Sequence, residues 1–229
     1  MDIESGLSRL PIRKITVTLS VVSALFAVVG LVSQVLSPGE AELYTWTHMF
    51  DLDAEAAAPA WYQTGLLLVC AGLLWVIGSS RRPNDALARY FRFLGWVLVY
   101  LSADENAAIH ETLGFWIANH FGHAMGVYAW LIPGIAFVIY MTIISWKNLK
   151  ALPPATRRGM ILAAVVYVVG AAGFDLIESR LDYLWGTLSF SMLTVVEESL
   201  EMAGLVIFIH TLLSYIRSLP QGPTLAVEP

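Results

Sequence analysis

Long apolar runs without a charged residue constrain this chain more than any other feature. The clearest are Ile15 to Ser37 and Ala56 to Ser80, and each is longer than the about 20 residues that an α-helix needs to cross a bilayer. Inside the hydrocarbon core every backbone N–H and C=O must be hydrogen-bonded within the protein, which a helix achieves by itself. The sequence therefore predicts an all-α integral membrane protein.

The composition supports this class and excludes others. Of the 229 residues, 57% are hydrophobic and 14% are charged, and the mean hydropathy is +0.67, which is outside the range of soluble domains. The net charge of −5 argues against nucleic acid as a partner, because such a partner requires a concentrated basic face. The single cysteine, Cys70, excludes a disulfide within the chain and is expected to be a buried apolar side chain.

A third uncharged stretch divides into two helices. The stretch from Thr112 to Trp146 is too long for one span, and its middle contains His120, Gly122 and His123, so we place a loop there. The full prediction is a single domain over residues 1–219 that contains six helices. Their expected bounds are about 14–37, 60–80, 89–114, 125–147, 157–178 and 187–216. Residues 220–229, which begin and end with proline, are expected to form a disordered tail.

The distribution of Lys and Arg predicts the orientation of these helices. Cytoplasmic loops of membrane proteins carry an excess of Lys and Arg, and of the thirteen such residues only Arg180 falls on the other side. The segment Pro38 to Ala60, on that side, contains five acids and no base. Both termini are therefore predicted to be cytoplasmic, in a multi-pass protein of the inner (plasma) membrane.

Carboxylates inside the spans are the most informative feature for function. Eight of them fall within or at the outer ends of predicted spans: Asp104, Glu105, Glu111, Asp175, Glu178, Glu197, Glu198 and Glu201. At roughly 3 kcal/mol each, they would cost on the order of 20 kcal/mol if nothing compensated them. That exceeds the about 5 to 15 kcal/mol of net stability typical of a domain. Since only Arg180 is a nearby base, protons, water or bound cations must neutralise them.

Helical periodicity predicts which of these acids meet. At about 100° per residue, Glu197, Glu198 and Glu201 form one acidic stripe on the sixth helix. On the fifth helix Asp175 and Glu178 are an i,i+3 pair.

On the third helix Asp104 and Glu111 nearly eclipse one another, His110 lies beside Glu111, and Glu105 is turned about 100° away. We expect His110 and at least one carboxylate from each of these three helices to converge on one cavity.

Structural explanations compete with this interpretation. Asp175 and Glu178 could cap the end of the fifth helix or pair with Arg180, and Glu55 is expected to be solvated like the other acids of its loop. A lone histidine such as His110 on an apolar helix is commonly a hydrogen-bonded core residue. Its acidic neighbours make a role as a ligand or proton carrier equally acceptable.

Three segments resemble a known group of proteins. Residues 101–111 read LSADENAAIHE and residues 196–204 read VEESLEMAG, while DLDAE at 51–55 precedes PAWY at 59–62. With these segments the chain resembles a widespread group of uncharacterised bacterial multi-pass membrane proteins over most of its length. The resemblance implies the order of elements and no activity. The chain is less similar to ceramidase-like hydrolases, which hold zinc with three histidines, and it lacks the Glu-x-x-His pattern of ferritin-like di-iron proteins.

A metal site is the favoured functional hypothesis. Its candidate ligands are Asp104, Glu105, His110, Glu111, Asp175, Glu178, Glu197, Glu198 and Glu201. Oxygen-rich ligation favours iron, manganese, calcium or magnesium over a structural zinc. A metal-dependent enzyme with this site would act on a lipid or another hydrophobic molecule. A cation or proton transporter and a non-catalytic accessory subunit are alternatives. The bilayer is the expected partner, and a membrane-protein subunit or a second copy of the chain stays open.

Reporter fusions test the predicted topology. A reporter active only in the cytoplasm should be active when fused at Pro229 and inactive when fused after Glu55, because the positive-inside rule places these positions on opposite sides. A periplasmic reporter should give the reverse pattern. Periplasmic activity at Pro229 would mean that a span has been miscounted.

Overall fold

The computed structural model describes residues 11–36, 45–55, 57–82, 84–121, 128–178, 181 and 187–219. Within these ranges the protein is helical and contains no β-strand. The predicted tail at 220–229, His123 and Arg180 lie outside the described residues. The all-α class is therefore confirmed for the described part of the chain.

The helices follow the predicted spans with two interruptions. In chain order they are α1 (Ile12–Leu36), α2 (Trp46–Met49), α3 (Ala58–Ser79), α4 (Ala86–Ala107), α5 (Ile109–Phe121), α6 (Tyr128–Lys150), α7 (Pro154–Val168), a π-helix (Val169–Phe174), α8 (Asp175–Glu178) and α9 (Leu188–Ser218). The interruptions are the break between α4 and α5 and the π-helix after α7. Apolar periodicity gave no indication of either one.

Four of the described helical segments are long and apolar enough to cross a membrane: Ile12–Leu36, Ala58–Ser79, Ala129–Lys150 and Pro154–Phe174. The outward faces of α1 and α6 are strongly apolar, with exposed side chains that include Val21, Leu25, Ile139 and Ile143. Apolar faces of this extent are unusual on soluble proteins and are typical of surfaces that contact lipid. The length, composition and exposed surface of these helices therefore all agree with a membrane protein.

Helix α9 lies at the centre of the bundle. It is 31 residues long and packs against α1, α3, α7 and the π-helix, while α3 also packs along α4. Its buried apolar side chains include Met202, Leu205, Ile209 and Leu212, which contribute to two core clusters shared with the surrounding helices. An acid on the inward face of α9 is therefore enclosed by other helices.

Glycines bring α9 into backbone contact with α7 and the π-helix. A Cβ atom added at Gly204 would lie 2.8 Å from the Tyr167 nitrogen and 3.0 Å from the Ala163 carbonyl oxygen. One added at Gly170 would lie 2.9 Å from the Glu197 carbonyl oxygen. Small residues of this kind let membrane helices approach closely. The acidic part of α9 consequently lies directly against the π-helix.

The predicted third helix, at about 89–114, is observed as α4 and α5. They are separated by Ala108, which has φ 47° and ψ 44° in the left-handed region. For a residue other than glycine this conformation costs about 1–2 kcal/mol. Helix α5 then continues to Phe121, beyond the expected end. Because of the break, positions on the two sides of Ala108 do not share one helical register.

Substitution of Gly204 tests the close packing of α9. Gly204→Ala should lower the thermal stability of the detergent-purified protein, with a cost of about 1–3 kcal/mol, because the added methyl meets backbone atoms that cannot rotate away. Gly72→Ala is the matched control, since nothing lies within 4 Å of its added Cβ. It should be neutral or stabilising by up to about 1 kcal/mol. Equal melting temperatures for the two variants would contradict the packing.

Candidate metal centre

Three carboxylates of α9 form a compact, largely buried group, the α9 cluster of Glu197, Glu198 and Glu201. One oxygen of each lies within 4.8 Å of the others. Glu197 and Glu201 are 8% and 6% exposed, and Glu198 is half-buried. Glu201 follows Glu197 by four residues and Glu198 by three, and both spacings bring side chains together on the surface of a helix. The sequence prediction of an acidic stripe on this helix agrees with their arrangement.

Gln63 of α3 connects this cluster to α4. Its Nε2 donates a hydrogen bond to Oε2 of Glu201 at 2.7 Å, and its side chain also lies close to Glu105. Gln63 is 1% exposed, yet its Oε1 has no hydrogen-bond partner among the described residues. A buried amide oxygen without a partner costs about 1–3 kcal/mol. Gln63 therefore joins two acidic helices and leaves one buried acceptor available.

Tyr167 brings α7 to the same place. Its hydroxyl donates a hydrogen bond to Glu201, and it also lies within electrostatic range of Glu105 and Glu198. The π-helix starts at Val169, and π-helical turns inside α-helices occur frequently at functional sites. Four helices thus contribute polar side chains to the surroundings of Glu201.

A second group, the outer cluster, consists of Glu55, His110 and Glu111. One ligand atom of each lies within 4.8 Å of the others. Glu55 precedes α3, whereas His110 and Glu111 lie in the first turn of α5. Glu55 and His110 are half-buried and Glu111 is exposed. Burial, followed by the negative charge of Glu111, raises the pKa of Glu55 to about 7. Glu55 is therefore half-buried, with one shielded oxygen, rather than fully solvated as expected.

Two carboxylates cap the start of α5. Asp104 Oδ1 accepts a hydrogen bond from the His110 N–H at 2.8 Å, and Glu55 accepts one from the Ala108 N–H. The first N–H groups of a helix have no partner within the helix, so these acids stabilise the break at Ala108. Asp104 Oδ2 also lies 3.1 Å from His110 Nδ1. That contact fixes the imidazole orientation.

The comparisons with known proteins identify a family. Residues 15–216 match a domain of unknown function, DUF8692. The chain belongs to the DUF8692 family. No curated protein and no solved structure matches it. The match includes every residue of both clusters, so they lie within the region that this DUF8692 chain shares with its family. It agrees with the resemblance to an uncharacterised family over most of the sequence.

The structure of this DUF8692 chain places the predicted ligands in two adjacent groups. The α9 cluster lies with Glu105, while His110 and Glu111 lie with Asp104. Glu105 is within electrostatic range of Asp104 and His110, so it lies between the groups. Asp175 and Glu178 form α8, but their side chains lie outside what the structure describes.

The arrangement on the predicted third helix differs from expectation. Asp104 and Glu111 do not share one helical face, because the break at Ala108 separates their registers. Asp104 instead binds His110. Glu105, which was expected to point away, is the α4 acid that reaches Gln63. The sequence argument assumed one continuous helix, and this assumption was wrong.

Sequence reasoning did not select Gln63, Tyr167 or Glu55 as site residues in this DUF8692 protein. A signal existed for Gln63, because it is the only amide or charged side chain between Ala56 and Ser80, and polar side chains in such spans face the bundle interior. For Tyr167 no comparable signal exists. Glu55 reaches the site through a fold-dependent contact with Ala108, which sequence spacing does not indicate.

A pair of glycine substitutions tests the break beside the outer cluster. Ala108→Gly should stabilise the protein by about 0.5–1 kcal/mol, because glycine adopts positive φ without strain. Ala103→Gly, at an exposed position inside α4, should instead destabilise it by about 1 kcal/mol. Thermal unfolding of both variants in the same detergent measures the difference. Equal destabilisation by the two substitutions would show that Ala108 is not in the left-handed conformation.

Proposed function

We propose that this protein is a six-span membrane protein that binds a divalent metal ion at the α9 cluster. The observation that carries the proposal is the association of three close, largely buried carboxylates with a buried amide oxygen that has no hydrogen-bond partner among the described residues. The proposed ligands are carboxylate oxygens of Glu197, Glu198 and Glu201, together with Gln63 Oε1. Glu105 lies beside them, close to the Gln63 side chain.

Electrostatics supports a bound cation. Two ionised carboxylates with oxygens within 4.8 Å of each other repel each other by at least about 3 kcal/mol at an effective dielectric constant of about 20. The basic residues of the same helices are distant, since a rise of 1.5 Å per residue places Arg92 roughly 20 Å from Glu105 and Arg217 roughly 24 Å from Glu201 along their axes. We propose that protons or a bound cation offset the charge.

The free acceptor at Gln63 favours a metal ion over shared protons. A hard divalent cation accepts both carboxylate and amide carbonyl oxygens as ligands. Iron, manganese, calcium and magnesium fit this oxygen-rich set.

The proposed orientation includes α4 and α9 as spans. Helix α9 packs against three of the apolar helices and α4 packs along α3, so both run within the bundle. Basic residues occupy one end of the helices and the acids lie toward the other. The described basic residues are Arg13, Lys14, Arg81, Arg82, Arg89, Arg92, Lys147, Lys150, Arg157, Arg158 and Arg217. By the positive-inside rule both termini are cytoplasmic and the α9 cluster lies in the outer half of a plasma membrane.

A metal-dependent reaction on a lipid or another hydrophobic molecule is the activity that this location favours. A bound divalent ion supplies Lewis acidity toward an oxygen of the substrate or toward water. The chain's own groups would hold the ion and, through the Tyr167 hydroxyl, keep Glu201 oriented. A second candidate is cation or proton transport, which is favoured by the succession of acids from exposed Glu111 through Glu105 to buried Glu201.

Thermal melts with and without a chelator test the metal proposal. Chelation or mild acid should lower the melting temperature, because the ligands must be deprotonated to bind metal. Glu198→Gln and Glu201→Gln should weaken the response to added Mn²⁺ or Mg²⁺. Glu228→Gln, beyond the residues that match the family, is the control and should respond like the wild type.

A proton relay predicts the opposite behaviour of the same variants. Glutamine mimics a protonated glutamate, so Glu198→Gln and Glu201→Gln would then be neutral or stabilising. Melts that do not depend on metal, together with stabilised glutamine variants, would overturn the metal site in favour of transport.

A further inference from the structure

The outer cluster has features that an acidic surface patch lacks. It combines an imidazole with two carboxylates, and its ligand atoms lie within 4.8 Å of one another. Metal bonds of about 2.0–2.2 Å to nitrogen and oxygen place neighbouring ligand atoms roughly 3–3.5 Å apart, so small side-chain movements would close this group around one ion. Its exposed member, Glu111, puts the group within reach of ions in solution.

The contact between Asp104 and His110 arranges the imidazole as in known metal sites. Asp104 Oδ2 lies 3.1 Å from His110 Nδ1, so Nε2 is the ring nitrogen left for a ligand. Metal-binding histidines usually donate their other ring N–H to a carboxylate, which sets the tautomer and the ring orientation. The His110 ring also packs 4.8 Å from the ring of Trp130, measured between centroids. The imidazole is therefore held from two directions.

A buried oxygen atom of Glu55 provides an independent observation. The carboxylate accepts the Ala108 N–H, but its Oε2 is shielded from solvent and has no hydrogen-bond partner among the described residues. A shielded carboxylate oxygen without a partner requires an explanation, and an ion absent from the coordinates is one. Because Glu55 is a member of the same group as His110, its carboxylate can offer an oxygen to an ion there.

We infer that Glu55, His110 and Glu111 form a second metal site, distinct from the α9 cluster. With one nitrogen and two carboxylate ligands it suits a borderline divalent ion such as Zn²⁺, Co²⁺ or Fe²⁺, whereas the α9 cluster offers only oxygen. Three protein ligands leave a coordination position open. Asp104 is a positioning residue that acts through His110. The site goes beyond the proposed function and does not depend on it.

Cobalt titration of the full-length, chelator-stripped protein in detergent tests the inference. Bound Co²⁺ is counted by metal analysis and followed by its visible absorption. The wild type should bind two equivalents. His110→Ala and Glu55→Gln should each remove one equivalent and the absorption of the nitrogen-ligated ion, whereas Glu201→Gln should remove the other. His120→Ala is the matched control, because His120 is exposed on the same helix and its Nδ1 lies 2.9 Å from the Trp116 carbonyl oxygen.

Each variant contains its own test of folding. Retention of the equivalent that depends on Glu201 shows that His110→Ala is folded. Asp104→Ala should weaken Co²⁺ binding at the outer site by about 10- to 100-fold and leave the other equivalent unchanged. A loss of both equivalents in Asp104→Ala, with normal binding by Asp104→Asn, would show that Asp104 acts only as a structural cap and would overturn its positioning role.

The outcomes separate this inference from the proposed function. Two equivalents retained in His110→Ala, or one equivalent that needs both His110 and Glu201, would overturn a distinct second site. One equivalent that is lost in His110→Ala and unchanged in Glu201→Gln would support the outer site and overturn the α9 site.

Discussion

The hydrogen bond from Gln63 to Glu201 depends on how closely α9 approaches its neighbours. Gly204 and Gly170 allow backbone contact between α9 and the segment formed by α7 and the π-helix, and this contact encloses the acidic face of α9. Gln63 then reaches Glu201 from α3 at 2.7 Å and Glu105 from α4. A looser bundle would admit water between these groups, and hydrated carboxylates would have less need of an ion. The close packing of these helices therefore also determines the chemistry proposed for the acids.

The break at Ala108 positions the residues of the outer cluster, as helix packing positions those of the α9 cluster. A continuous helix would turn His110 away from Asp104, whereas the left-handed residue lets Asp104 bond both the backbone and the ring of His110. Glu55 is held at the same position through the Ala108 N–H. Backbone strain of this kind persists only where surrounding contacts stabilise it. Asp104, which caps α5, therefore also determines that Nε2 is the ring nitrogen of His110 left without a contact to it.

Particular residues show how far the sequence could predict this structure. The uncharged runs from Ile15 and Ala56 locate α1 and α3, because the bilayer imposes their length and composition. Regular helical spacing grouped the three acids of α9. It failed around Ala108, where neither glycine nor proline marks the break and the capping of α5 by Asp104 is visible only in the folded chain. Gln63 was visible as a lone amide in an apolar run, but its partners on α4 and α9 follow from helix packing.

The length of α9 determines how deep in a membrane the carboxylates of the α9 cluster would lie. Its 31 residues span about 46 Å at 1.5 Å per residue, while the hydrocarbon core is about 30 Å thick. A tilt alone would have to approach 50° to absorb the excess, well above the range of 0–40° seen in membrane proteins, so part of the helix extends past the acyl chains. If its basic end lies at the cytoplasmic boundary, Glu201 lies about 25 Å along the helix from that boundary. Within an about 30 Å core, Glu201 would then lie roughly 5 Å short of the opposite boundary, and Glu197, four residues further along, would lie at that boundary. In the proposed orientation, glycerol and phosphate groups of the outer leaflet would be within reach of the cluster.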